Sequence, residues 1–133
     1  MTTETDWETL VVAATGASAV AYCPYSRFAV GAAVRTRDGR IFAGCNVENA
    51  SFGLTVCAER NAIFQAVAAG AREIAALVVY TSTPTPSTPC GACRQVLLEL
   101  GANAEVLCVS DGPERRLFTA VTLLPEAFAL PPR

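Results

Sequence analysis

Residues Ile74 to Leu100 read IAALVVYTSTPTPSTPCGACRQVLLEL, and the fold turns on how that stretch divides. Its opening, Ile74-Ala75-Ala76-Leu77-Val78-Val79-Tyr80, is an unbroken apolar run, as expected of a strand covered on both faces. Thr83-Pro84-Thr85-Pro86-Ser87-Thr88-Pro89 is a stiff turn region. Beyond it Val96, Leu97, Leu98 and Leu100 continue as a helix, with Gly101 as the stop. Thr88 can cap that helix and Pro89 suits its first turn. Cys90 and Cys93 then stand one turn apart on one face at the helix start. The helix dipole there favours the thiolate form that metals need. Two thiols leave a tetrahedral ion half-bound, so further ligands must come from elsewhere.

Upstream, Thr55-Val56-Cys57-Ala58-Glu59-Arg60 opens a second helix. It is nearly all Ala, Ile, Phe and Val as far as Ala69, with Gly70 as the stop, and so is expected at the centre of the molecule. Thr55 is its expected cap, which puts Cys57 in the first turn and repeats the threonine-then-thiol arrangement at Thr88. Earlier, Phe28 to Val34, then Asp38-Gly39, then Ile41 to Val47 read as strand, hairpin turn, strand. Gly31, Ala32 and Ala33 leave room for a helix or a ligand to approach that strand closely. Thr5 and Glu8 have capping-box spacing, and Leu10, Ala13, Ala14, Ala17 and Ala21 form a helical stripe. These predict a first helix of about four turns ending near Tyr22. Downstream, Val106-Leu107-Cys108-Val109 is another strand covered on both faces, followed by a last helix. This order predicts a three-layer α/β sandwich with a mixed sheet, residues 1–133 forming one domain. If the strands before the two thiol-bearing helices are neighbours, both helix N-termini can aim at one point at the sheet's carboxyl edge.

Hydrophobic residues make up 52% of the 133 and charged residues 17%. That leaves little polar surface, so subunits are expected to cover part of it against each other. A net charge of -2, without a run of Lys or Arg, argues against holding long nucleic acid by counterion release. Glu4, Asp6 and Glu8 stand where a secretory signal would be basic, and no apolar span is long enough to cross a bilayer. Histidine is absent, so a transition-metal site must use thiolates, which selects zinc or an iron–sulfur cluster. Cys23, Cys45 and Cys108 lie in apolar or strand-like surroundings and read as small buried hydrophobes.

Cys57, Cys90 and Cys93 are therefore the candidate metal ligands. Three protein ligands leave a fourth tetrahedral position for water, the pattern of a catalytic rather than a structural site. Glu59 stands beside them. A metal-bound water has its pKa drawn towards ~7, and a neighbouring carboxylate can take the proton and pass it on. Three thiolates on Zn²⁺ sum to one negative charge. Two helix N-termini offset part of it. Arg60 and Arg94 are candidates to donate to sulfur, and Gln95 to add a neutral donor behind the ligands. A closed structural site would want a fourth protein ligand, and a redox Cys-x-x-Cys would not explain Cys57-Ala58-Glu59.

Cys57-Ala58-Glu59 with Pro89-Cys90-Gly91-Ala92-Cys93 matches the zinc-deaminase signature in its three-cysteine form. More narrowly, the chain resembles the small homotetrameric cytidine deaminases of nucleoside salvage. The resemblance is carried by Tyr25 to Ala33, Gly44 to Ser51, Cys57 to Arg60, Pro89 to Gln95 and Leu123 to Phe128. It implies a three-layer α/β/α sandwich around a five-stranded mixed sheet, a Zn²⁺ cofactor, and hydrolytic deamination of cytidine and deoxycytidine to uridine and deoxyuridine. Glu59 would be the proton shuttle and zinc-bound hydroxide the nucleophile. The resemblance further implies that Phe28 stacks on the pyrimidine, and that Asn46 and Glu48 hydrogen-bond the ribose 3′-hydroxyl. The N–H of Ala58 and the C=O of Ser87 or Thr88 would meet the base edge, and Phe128 would enter a neighbouring subunit's site. A cytoplasmic homotetramer with shared sites, binding a small nucleoside and neither nucleic acid nor membrane, follows from the same likeness. A related deaminase acting on blasticidin S or a polynucleotide is the alternative within enzymes, and Asn46-Val47-Glu48 favours a free ribose. The chain departs from its relatives at Phe52, where Tyr is frequent, and at Cys23, where an aliphatic residue is expected.

Overall fold

The computed structural model describes residues 5–131. Helix α1 (Trp7–Ser18) opens at Asp6, whose carboxylate accepts from the N–H of Thr9 at 3.2 Å. The cap is thus one residue beyond Thr5, whose hydroxyl instead donates to Glu105. The helix closes at Ser18, about a turn short of Tyr22. Strands β1 (Val30–Thr36) and β2 (Ile41–Cys45) pair as a hairpin. Gly39 takes a φ of 94° in its turn, a conformation that suits a residue without Cβ. There follow α2 (Ala58–Ala68), β3 (Ile74–Thr81), α3 (Gly91–Leu100), β4 (Glu105–Ser110), β5 (Arg116–Thr119) and the single turn α4 (Ala120–Leu123).

The strand order is β2-β1-β3-β4-β5. Only β3 and β4 run parallel; the other neighbours are antiparallel, so the five-stranded sheet is mixed as expected. Side chains alternate across it. Ala32, Val34, Leu77, Val79, Val106 and Cys108 join the core under α2 and α3, whereas Ala33, Val78, Leu107 and Val109 join the core under α1. The result is the expected three layers. The small residues are where the helices come closest. A Cβ on Gly31 would fall 1.8 Å from the carbonyl oxygen of Ala14 in α1, and one on Gly44 would fall 2.5 Å from the Ala62 nitrogen in α2.

Helix α2 is more one-sided than its composition predicts. It buries Ala58, Glu59, Ala62, Ile63 and Ala66, while Phe64 remains exposed. Among the described residues no helix is long and apolar enough to cross a membrane. The register sets Val30 beside Thr81 and Thr81 beside Ser110, with Cys45 opposite Gly31. These residues form one edge of the sheet, and the loops leaving β2 and β3 there lead into α2 and α3.

Candidate active site

Both helices that start at this edge start on a cysteine. Cys57 is the N-terminal cap residue of α2 and Cys90 that of α3, each with extended backbone and neither using its sulfur to cap. The threonines expected as caps lie two residues upstream and serve other groups. Thr55 Oγ1 accepts from the N–H of Asn49 at 3.1 Å, and Thr88 Oγ1 accepts from Arg94 Nη2 at 3.0 Å. The cap position suits a ligand because its side chain sits at the mouth of the helix, where the dipole favours negative charge.

Cys57 Sγ lies 3.6 Å from Cys90 Sγ, Cys90 Sγ lies 3.4 Å from Cys93 Sγ, and all three sulfurs fall within 4.8 Å of one another. Thiolates bound to zinc at about 2.3 Å with tetrahedral angles stand about 3.8 Å apart, so the cluster has the dimensions of a three-thiolate cage. A disulfide would need sulfurs about 2 Å apart. Among the described residues no fourth side chain joins the group.

The electrostatics favour a thiolate at Cys57. Arg60 Nη2 donates to Cys57 Sγ at 3.5 Å. The neighbouring Cys93 thiol, helped by Arg60, holds the Cys57 thiol down to about 5 against its burial. The same contact with Cys57, together with burial, pushes the Cys93 thiol far up. Glu59 is only 5% exposed, and burial raises its carboxyl to about 7.

Two residues expected behind the thiolates turn elsewhere. Arg94 donates from Nε to the carbonyl of Pro89 at 2.7 Å, from Nη1 to that of Leu123 at 2.8 Å, and from Nη2 to Thr88. Gln95 Nε2 donates to the carbonyl of Phe128 at 3.1 Å. Instead of reaching sulfur, this pair fastens the C-terminal tail to α3.

A cavity of about 190 Å³ opens on the cluster. That volume equals about six water molecules at roughly 30 Å³ each, room for a small ring. Phe28, Asn46, Cys57, Ala58, Glu59 and Cys90 line it together with Thr55, Ser87 and Thr88. Glu48 stands in an adjoining hollow of about 380 Å³ with Tyr25, Ser26, Asn49 and Phe52. Asn46 braces the approach to β1: its Oδ1 accepts from the N–H of Val30 at 3.0 Å, and its Nδ2 donates to the carbonyl of Phe28 at 2.7 Å. Phe128 is 71% exposed and lies outside the lining of its own chain's cavity. Sequence reasoning missed Thr81, buried in the cavity wall with its hydroxyl 2.9 Å from that of Thr83. Its only signal was its place at the carboxyl end of an apolar strand.

Residues 4–109 match the family described as the cytidine and deoxycytidylate deaminase zinc-binding region. The cytidine deaminase of Mycobacterium tuberculosis is 47% identical over 127 residues, covering 96% of this chain and 92% of its own. That of Halalkalibacterium halodurans is 46% identical over 124 residues, covering 92% of this chain and 94% of its own. Among solved structures, the cytidine deaminase of Burkholderia pseudomallei superposes with a TM-score of 0.88 at 51% identity, over 94% of this chain and 100% of that one.

Proposed function

The chain belongs to the cytidine and deoxycytidylate deaminase family and is a hydrolase of the cytidine deaminase type; from that premise we propose that it converts cytidine and deoxycytidine to uridine and deoxyuridine with release of ammonia. Cys57, Cys90 and Cys93 are the residues to hold Zn²⁺, a role supported by their spacing and by a chain without histidine. When bound, the ion supplies Lewis acidity that brings the pKa of a water molecule towards ~7.

The remaining chemistry belongs to side chains. Phe28 stacks on the pyrimidine, and the N–H of Ala58, at the first position of α2, donates to the base edge. Glu59 takes a proton from the attacking water and delivers it to ring N3. Oxygen bonds to C4, Glu59 carries the second proton to the amino group, and the C4–N bond breaks to release ammonia. Water and cytidine are thus fully accounted for as uridine and ammonia. A carboxyl raised to about 7 by burial is matched to giving and taking protons near neutrality. Arg60 offsets the excess negative charge of the sulfurs, and Glu48 and Asn46 take the ribose 3′-hydroxyl.

The observation that carries this reading is a buried glutamate beside three convergent sulfurs at the end of a ring-sized cavity. The assembly is proposed as a homotetramer, and the exposure of Phe128 leaves that ring free to enter a neighbouring subunit's site. A single domain working in the cytoplasm completes the assignment. The test is ammonia release from cytidine, deoxycytidine and blasticidin S by the parent and by Glu59→Gln. The variant is expected to keep its metal and lose roughly 10²–10⁴-fold or more in rate on the two nucleosides. A variant that works at the parent rate overturns the role of Glu59, and a parent that prefers blasticidin S overturns the substrate.

A further inference from the structure

Glu48 is held in an unusual way. No basic side chain touches it among the described residues. Its Oε1 accepts from the N–H groups of Tyr25 at 2.9 Å and Ser26 at 3.1 Å, and its Oε2 accepts from the Ser26 hydroxyl. Its own N–H donates to the carbonyl of Tyr22 at 2.8 Å. All four bonds therefore run to the segment Tyr22–Ser26. Directly after that segment comes Arg27, a non-glycine residue at a φ of 56°. Such a backbone persists only where its surroundings over-determine it, and it tends to mark function. The Ser26 hydroxyl also accepts from the N–H of Phe28 at 3.0 Å, so one oxygen links the carboxylate to the aromatic wall of the cavity.

A carboxylate offers about four lone-pair directions. Oε1 has filled both of its own with backbone donors, whereas Oε2 has filled one, with Ser26. The free direction is thus on the oxygen whose position Ser26 sets. We propose that Ser26 is a positioning residue for sugar recognition, its hydroxyl orienting Glu48 Oε2 towards the 3′-hydroxyl of the nucleoside. This rests on the reading of Glu48 as the sugar's acceptor given above. The arrangement also keeps Glu48 an acceptor. The Ser26 hydroxyl and the two N–H groups hold its carboxyl below the usual carboxylate range, against the opposing effect of burial. An ionised carboxylate demands a donor, which a sugar hydroxyl provides.

Three variants, each assayed on cytidine and on 3′-deoxycytidine, test the idea. Ser26→Ala removes the hydroxyl and leaves both backbone donors. It is expected to raise KM for cytidine roughly tenfold, the effect of one hydrogen bond to a charged group, with kcat within about twofold. On 3′-deoxycytidine, which offers Glu48 nothing, the penalty should shrink to the small part transmitted through Phe28. Ser26→Thr, which keeps the hydroxyl, should restore most of the loss. An equal penalty on both substrates, a fall in kcat alone, or no change on cytidine overturns the proposal. Glu48→Gln separates this from the reading beneath it. If that variant leaves the preference for cytidine over 3′-deoxycytidine untouched, Glu48 is not the sugar's acceptor. If the preference collapses while Ser26→Ala is silent, only the role of Ser26 falls.

Discussion

The contrast between Arg60 and its counterpart Arg94 is set by helix geometry. Arg60 reaches back one turn to the sulfur of Cys57, the three-residue spacing that places side chains over one another. Arg94 follows Cys93 directly, about 100° further round α3, and spends its donors on Pro89, Leu123 and Thr88. The convergence of Cys57, Cys90 and Cys93 beside a buried Glu59 was legible because it lies in local spacing and residue chemistry. Of the donors expected behind the sulfurs, Arg60 was legible too, at its fixed three-residue offset; Arg94 and Gln95 were not, because the target of a long side chain depends on which carbonyls the returning chain presents. Arg60→Ala should therefore weaken metal retention roughly 10–100-fold, read by competition with a chromophoric chelator. Arg60→Lys should recover only part of it, since an ammonium lacks the planar fork of a guanidinium. The matching change Arg94→Ala should leave metal affinity nearly intact and instead lower the melting temperature, by loosening Leu123 and the loop at Pro89.

At the scale of elements, helices and strands of the core were readable from apolar runs and stripes, and the stop of α3 at Gly101 from its glycine, whereas the helix starts were not. Threonine is a good cap, yet at both α2 and α3 that position is taken by a cysteine of the three-sulfur cluster two residues later; the demands of a site can override local preference. Strand β5, four residues at the sheet's edge, is too short for alternation to show, and its place came with the family likeness alone. Glycines give a sharper test of packing. Gly31→Ala would drive a methyl group into the Ala14 carbonyl at 1.8 Å, and should cost about 3 kcal/mol or more in urea denaturation, at the upper end for overpacking. Gly16→Ala, in α1 with nothing within 4 Å of the added atom, should stabilise by about 0.5–1 kcal/mol through helix propensity. Equal effects at the two sites would mean that α1 does not lie against β1 as described.

For the whole molecule, the high apolar content leaves large hydrophobic side chains exposed at several places, one of them a flank beside β2. Val20 is 76% exposed and Phe64 49%, and both border a hollow with Ala17, Ala43 and Val47 beside the edge strand β2. A single copy leaves this area wet; if the proposed subunit contacts cover it, Phe64→Glu should reduce the mass seen by sedimentation towards that of one chain. If Phe128 completes a neighbour's site, activity should fall with it. A second consequence concerns the union of two helix starts at one point. Cys57 and Cys90 are 33 residues apart, so an ion gripping both works as a rivet between distant parts of the backbone. By the chain-entropy account of cross-links, closing a loop of that length is worth about 3–4 kcal/mol. Chelation should accordingly lower the melting temperature as well as silence the enzyme, and hydrogen exchange should quicken first at the beginnings of α2 and α3. The cation would then be a fastener of the architecture as much as a reagent, and starving the protein of it would expose the chain to unfolding before any substrate is missed.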